Sequence, residues 1–230
     1  MSGVSMRLHY IFDPYCGWCY AISPLIAAAR AAGVEVVLHG GGMLSGQARL
    51  AVSPAVRDYV LSHDERIASL TGLPFGEAYR EGLLKDPSVT FDSTPPIAAI
   101  LAVEALQGDP VAYLGALQRA HYVRGASISA LSTLTDLAVR AGLAPAAFER
   151  AHAEAMLGPV AQHVAESRAY LQAVGGQGFP CLVLSLGDTA QRFDPMPWLG
   201  NPDGFVAALV ELAPEAAQTS TVCDLNGACT

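Results

Sequence analysis

Short apolar runs at the two ends of the chain flank a long middle of helical periodicity. Arg7-Leu8-His9-Tyr10-Ile11-Phe12 alternates loosely and is rich in aromatic and branched residues, which predicts a strand. Asp13-Pro14 breaks it. From Cys19 the apolar residues fall at Ile22, Leu25, Ile26 and Ala29, one face of a helix, and Gly33 closes that helix. Val34-Glu35-Val36-Val37-Leu38 reads as a second strand, followed by a Gly40-Gly41-Gly42 turn or loop. The middle, Pro54 to Val174, reads as helical throughout. Leu131, Leu134, Ala138 and Ala141 make one stripe, and Leu157, Val160, Val164, Leu171 and Val174 another. Breaks fall at Thr71 to Pro74, Thr94 to Pro96, Gly108 to Pro110 and Gly142 to Pro145. Asp109, and Ser93 or Thr94, are placed to cap the helices that follow. Strand signal returns in Cys181-Leu182-Val183-Leu184-Ser185-Leu186. Gly187-Asp188 reads as a hairpin turn, Thr189 to Phe193 as the return strand and Pro202 to Leu212 as a last helix.

Composition narrows the function classes. The 230 residues are 52% hydrophobic, enough for a sizeable core without metals or structural disulfides. A net charge of −8, with no local run of Lys and Arg, argues against a nucleic-acid partner. The apolar runs fall short of the roughly 20 residues a membrane span needs. The N-terminus lacks the basic and apolar regions of a secretory signal, so a cytoplasmic location is expected. The five cysteines are odd in number, and the chain is not small. In a reducing compartment such cysteines are catalytic, metal-binding or buried rather than a disulfide framework.

Cys16-Gly17-Trp18-Cys19 is the motif that carries chemistry. The first cysteine lies at a strand end and the second opens a helix. Unpaired N–H groups and the positive end of the helix dipole favour a thiolate at Cys16. Cys19, one turn along and expected to be the more buried, could attack a mixed disulfide and release the partner. A C-x-x-C can also be half of a zinc site, or incidental. A structural zinc wants four ligands, and neither a second C-x-x-C nor a clean His pair is near, so no metal is expected.

Tyr10-Ile11-Phe12-Asp13-Pro14-Tyr15-Cys16-Gly17-Trp18-Cys19-Tyr20 resembles the active-site segment of the DsbA-like branch of the thioredoxin superfamily. Within that branch it is most similar to the cytoplasmic protein-disulfide isomerases related to FrnE. The helical middle and Gly178-Phe179-Pro180 before a strand match the same layout. The resemblance implies an α/β thioredoxin fold with a large inserted α-helical domain. Residues 6–50 and 175–213 would form the thioredoxin-like part, 51–174 the inserted helical domain and 214–230 a tail. It also implies a cis Phe179–Pro180 bond that sets the Phe179 backbone beside Cys16, where it can pair with an extended partner. Trp18, Phe179 and Pro180 would then contact substrate. The implied activity is thiol–disulfide exchange with protein or peptide thiols and disulfides, with glutathione or a reductase as a further partner and no cofactor.

Several residues keep two readings. Cys181 either modulates the Cys16–Cys19 pair or fills the core as a small hydrophobe. Asp13 either exchanges a proton with Cys19 or caps the turn into the helix. Glu35 and His39 are weaker candidates, and Tyr10 stands where related enzymes carry an acid. Cys223 and Cys229, with an Asn226-Gly227 turn between them, are a second redox pair or incidental thiols in a tail. His121, His152 and His163 are expected to carry no chemistry. Two other functions fit the fold: a glutathione-dependent isomerase or transferase on a small molecule, and a peptide-binding adaptor without enzymatic activity.

Overall fold

The computed structural model describes residues 6–187 and 189–212. In chain order its elements are β1 (Met6–Phe12), α1 (Gly17–Ala21), α2 (Ser23–Ala31), β2 (Glu35–Gly40), β3 (Leu50–Ala51), α3 (Pro54–Thr71), β4 (Thr90–Phe91), α4 (Thr94–Ala105), α5 (Pro110–Tyr122), α6 (Leu131–Arg140), α7 (Pro145–Met156), α8 (Pro159–Ala173), β5 (Cys181–Leu186), β6 (Thr189–Phe193) and α9 (Pro202–Leu212). The main sheet has the order β2-β1-β5-β6. β1 runs parallel to β2 and antiparallel to β5, and β5 pairs antiparallel with β6. This is the DsbA-like thioredoxin fold, with helices inserted between β2 and β5.

The period of two in β1 divides the core. Leu8, Tyr10 and Phe12 share a cluster with Leu182 and Leu184, with Leu25 and Ile26 of α2, and with Phe205 and Leu209 of α9. Ile11 lies on the opposite face with Cys181, Val183 and Leu171 of α8. The register agrees: Tyr10 stands opposite Leu182, and Ile11 opposite Cys181. Trp198 stacks on Phe193 with ring centroids 5.0 Å apart and secures the chain after β6.

α4 is apolar on nearly every side, and it sits at the centre of the helical block against α5 to α8. Its Ile97 seats this block on the sheet, because a Cβ on Gly40 would come within 2.9 Å of that side chain. Asp109 caps α5 as expected, accepting from Val111 and Ala112 at 3.0 Å each.

Three expectations are corrected. The helix read from Cys19 to Gly33 breaks at Ile22. Pro24 has no N–H for the Tyr20 carbonyl, and its ring would crowd that carbonyl in a continuous helix. The middle is not helical throughout: β3 and β4 form a two-residue antiparallel ladder, too short to show a period. Leu157, placed on a buried stripe, is 88% exposed because the chain restarts as α8 only at Pro159. Among the described residues, no helix is long and apolar enough to cross a membrane.

One contact ties the segment after α3 to the end of α5. The Gly76 N–H donates to the Tyr122 carbonyl at 2.9 Å, and a Cβ on Gly76 would lie 1.9 Å from the Val123 carbonyl oxygen. Backbone cannot yield as a side-chain tip can. Gly76→Ala is therefore expected to destabilise the fold by about 2 kcal/mol or more, read as a lower urea midpoint at an unchanged slope.

Candidate active site

The site is built where the chain leaves β1 and enters α1. The Cys16 N–H closes the turn by donating to the Asp13 carbonyl at 3.1 Å, and the Cys16 carbonyl accepts from the Tyr20 N–H at 3.1 Å. Cys16 is thus the residue before the first helical turn, in extended conformation. The residue is 7% exposed, and its thiol points to the Phe179 carbonyl oxygen at 3.5 Å. Cys19 is wholly buried. Neither is in a disulfide. Burial, together with the neighbouring Cys16, pushes the Cys19 thiol well above its ordinary range. The Tyr10 hydroxyl, on the strand beneath, donates to the Cys19 carbonyl at 3.1 Å. The pair is chemically asymmetric: Cys16 keeps a small exposed area at the mouth of the turn, and Cys19 is kept as a thiol in the core.

The facing wall comes from the other end of the chain. The Phe179–Pro180 peptide bond is cis. The Phe179 ring lies on Gly41 so closely that a Cβ there would sit 2.1 Å from it. The glycine run is fixed from α8, where Arg168 donates to the Gly41 and Gly42 carbonyls at 2.7 and 2.6 Å. Trp18 is half-buried beside the cysteines, with the Arg66 guanidinium 5.6 Å from its ring centroid.

Asp13 is fully buried. Its carboxylate accepts from the Tyr15 N–H at 2.9 Å, from the Ser93 hydroxyl at 2.9 Å and from the Met43 N–H. Burial pushes its carboxyl up to about 6, and these three donors work against that rise. With its oxygens so occupied, Asp13 ties the active-site turn together, and its backbone works against the rise at the Cys19 thiol. Ser93, expected as a helix cap, instead spends its hydroxyl here and makes no side-chain cap bond.

The remaining candidates fall elsewhere. Cys181 packs with Ile11, Val183 and Leu171 on the sheet face away from the Cys16–Cys19 pair. Glu35 pairs with Arg7 at the surface. His39 meets His9 at 3.0 Å on the Cys181 side of the sheet, beside Tyr170. His163 accepts from the Gly40 N–H, and His152 bonds the Pro95 carbonyl. His121 is buried among Tyr15, Tyr79, Phe91 and Tyr122, and that burial pushes it down to about 3. Cys223 and Cys229 lie outside the described residues. Among the described residues, no group of three His, Cys, Asp or Glu could hold a metal.

Sequence reasoning missed Asp64. It lies on α3, 4% exposed, and accepts the Tyr79 hydroxyl at 3.0 Å. A Cβ on Gly17 would meet its Oδ1 at 3.4 Å and the Ile67 side chain at 3.0 Å. The available signal was its spacing: Val60, Asp64 and Ile67 share one helical face.

Comparison with known proteins agrees with this geometry. A family model for the DSBA-like thioredoxin domain matches residues 7–205. The cytosolic disulfide reductase DsbM from Pseudomonas aeruginosa is 45% identical over 89% of this chain and 97% of that one, with a TM-score of 0.83. A second structure of it, with GSH, is 43% identical over 89% and 98%, with a TM-score of 0.81. DsbA from the same organism is 13% identical over 91% and 82%, with a TM-score of 0.50, a likeness of fold alone. No curated protein matches the chain.

The Asp13 geometry makes a prediction about stability. Asp13→Ala would leave the Tyr15 and Met43 amides and the Ser93 hydroxyl without their common acceptor. A loss of about 3 kcal/mol in denaturant unfolding is expected, several times the effect of an exposed substitution such as Asp58→Ala.

Proposed function

The chain belongs to the DSBA-like thioredoxin-domain family of thiol–disulfide oxidoreductases, and we propose that it reduces disulfides of protein partners, drawing its electrons from thiols of the glutathione type. The observation that carries this reading is the asymmetry of the pair: Cys16 retains some exposure with its thiol on the Phe179 carbonyl, and Cys19 has none.

Cys16, as thiolate, attacks one sulfur of a partner disulfide. A Cys16–partner bond forms, and the other partner sulfur leaves. The Phe179 carbonyl faces the bound segment and can accept one of its backbone N–H groups, while Trp18 and Pro180 flank it. Cys19 then attacks Cys16, forming the enzyme disulfide and releasing the second partner thiol. Two thiols of the glutathione class return the enzyme to its dithiol and leave as a disulfide. Where a thiol of the partner attacks the mixed disulfide before Cys19 does, the same first step gives isomerisation. The 45% identical relative is by name a cytosolic disulfide reductase and has been seen with GSH, which favours reduction and a reducing compartment as the setting.

Insulin reduction with glutathione as reductant, together with refolding of scrambled ribonuclease, tests this. Cys16→Ser is expected to lower both by about 10³-fold or more. Cys19→Ala is expected to accumulate a mixed disulfide visible by mass. Undiminished activity of Cys16→Ser would overturn the reading. Glutathione-dependent turnover of a small molecule that survives Cys19→Ala would replace it with an isomerase or transferase.

A further inference from the structure

Disulfide reduction moves protons as well as electrons, and the groups nearest the cysteines are already committed. Asp13 is saturated by three donors, and Tyr10 gives its hydroxyl proton to the Cys19 carbonyl. Asp64 is differently placed. Gly17 alone separates Cys16 from Trp18, and the Asp64 Oδ1 faces it from α3, 3.4 Å from where a Cβ on Gly17 would stand. One oxygen accepts from Tyr79. The other, which faces Gly17, accepts no hydrogen bond among the described residues.

The charged and titratable groups around Asp64 come from three segments. On its own helix are His63, and Arg66, which lies over the Trp18 ring. From the turn at residues 78–82 come Tyr79 and Arg80. α5 contributes Tyr122, which itself lies within electrostatic reach of both Asp64 and the two cysteines of the motif. Burial outweighs the Tyr79 hydroxyl, His63 and Arg80 and pushes the carboxyl up to about 7. At neutral pH the group can therefore both hold and release a proton.

We propose that Asp64 is the proton donor to the thiolate that leaves when Cys16 attacks a partner disulfide. This inference rests on the reading of Cys16 as the attacking sulfur. The reacting enzyme carries Cys16 as thiolate, Cys19 as thiol and Asp64 as acid. The Cys16–partner bond forms, the partner S–S bond breaks, and the departing sulfur takes the Asp64 proton. Cys19 then forms the bond to Cys16, the second partner sulfur leaves, and the Cys19 proton passes to it. Two electrons and two protons have moved to the partner. The enzyme is left as a disulfide with an Asp64 carboxylate, which is protonated again when thiols reduce the pair. Tyr79 becomes part of the device, because its hydrogen bond sets the affinity of the carboxyl for the proton.

The test is the pH dependence of insulin reduction by the prereduced enzyme, followed in single turnover. Alkylation of Cys16 by iodoacetamide supplies the thiolate titration separately. Wild type is expected to lose rate as pH rises through about 7, where Asp64 becomes a carboxylate. Asp64→Asn keeps the volume and an acceptor for Tyr79. It should remove that descending limb and slow the reaction at pH 6 about tenfold, less than general acids usually supply because a thiolate leaves readily. Tyr79→Phe withdraws a donor that stabilises the carboxylate, so its limb should move up by about one pH unit. An Asp64→Asn enzyme that keeps the wild-type limb, or a folded Tyr79→Phe enzyme whose limb does not move, sinks the inference. Loss of activity in Cys16→Ser with the limb unchanged in Asp64→Asn rejects the role of Asp64 alone. An active Cys16→Ser enzyme rejects the underlying reading.

Discussion

A carboxylate taken out of water is tolerated only where donors surround it, and the buried Asp13 shows what such a demand can organise. Its three donors come from residues 15, 43 and 93, which belong to the active-site turn, the glycine run and the segment before α4. Ser93 also accepts from the Leu44 N–H at 3.1 Å, and its own N–H donates to the Leu44 carbonyl at 3.2 Å. The sheet end, the loop under Phe179 and the start of the central helix are thereby held to one point. The Cys16–Phe179 approach depends on that point, because Phe179 rests on Gly41, two residues before Met43.

The second organising feature is the division of the sheet into two faces. The face with Tyr10 and Phe12 carries the cysteine pair and packs on α2 and α9, while the face with Ile11 is covered by α8. α8 nevertheless reaches the site, through Arg168 and the glycine-run carbonyls. The aromatic residues of α5 and its surroundings, with Tyr20 stacked on Tyr122 at 4.7 Å, form the apolar bed on which the first turns of helix lie. That apolar bed, which also contains Cys19, is why the Cys19 thiol is held in its neutral form.

Much of this was legible in the sequence. Alternation in Arg7 to Phe12, the apolar Cys181 to Leu186 and the prolines at helix starts identify the strands and most of the helices. The C-x-x-C at a strand end, and Phe179-Pro180 before a strand, point to the two walls of the site. What was hidden depends on contacts distant along the chain. The break at Ile22 competes with a good apolar stripe, and two-residue strands have no period. Ser93 looks like a cap until Asp13 claims its hydroxyl. Asp64 looks like one more charged residue in Ser62-His63-Asp64-Glu65-Arg66, and only packing shows that it alone of these faces inward.

The position of Cys181 has a practical use. It packs against α8 on the sheet face that Cys16 and Cys19 do not share, and burial pushes its thiol up. In a chain with the other four cysteines replaced, this sulfur, 8% exposed in the closed fold, would react faster with a thiol reagent whenever α8 lifts from the sheet. The slow labelling of one atom would then time the local opening of the molecule under native conditions, without a denaturant and without an attached dye.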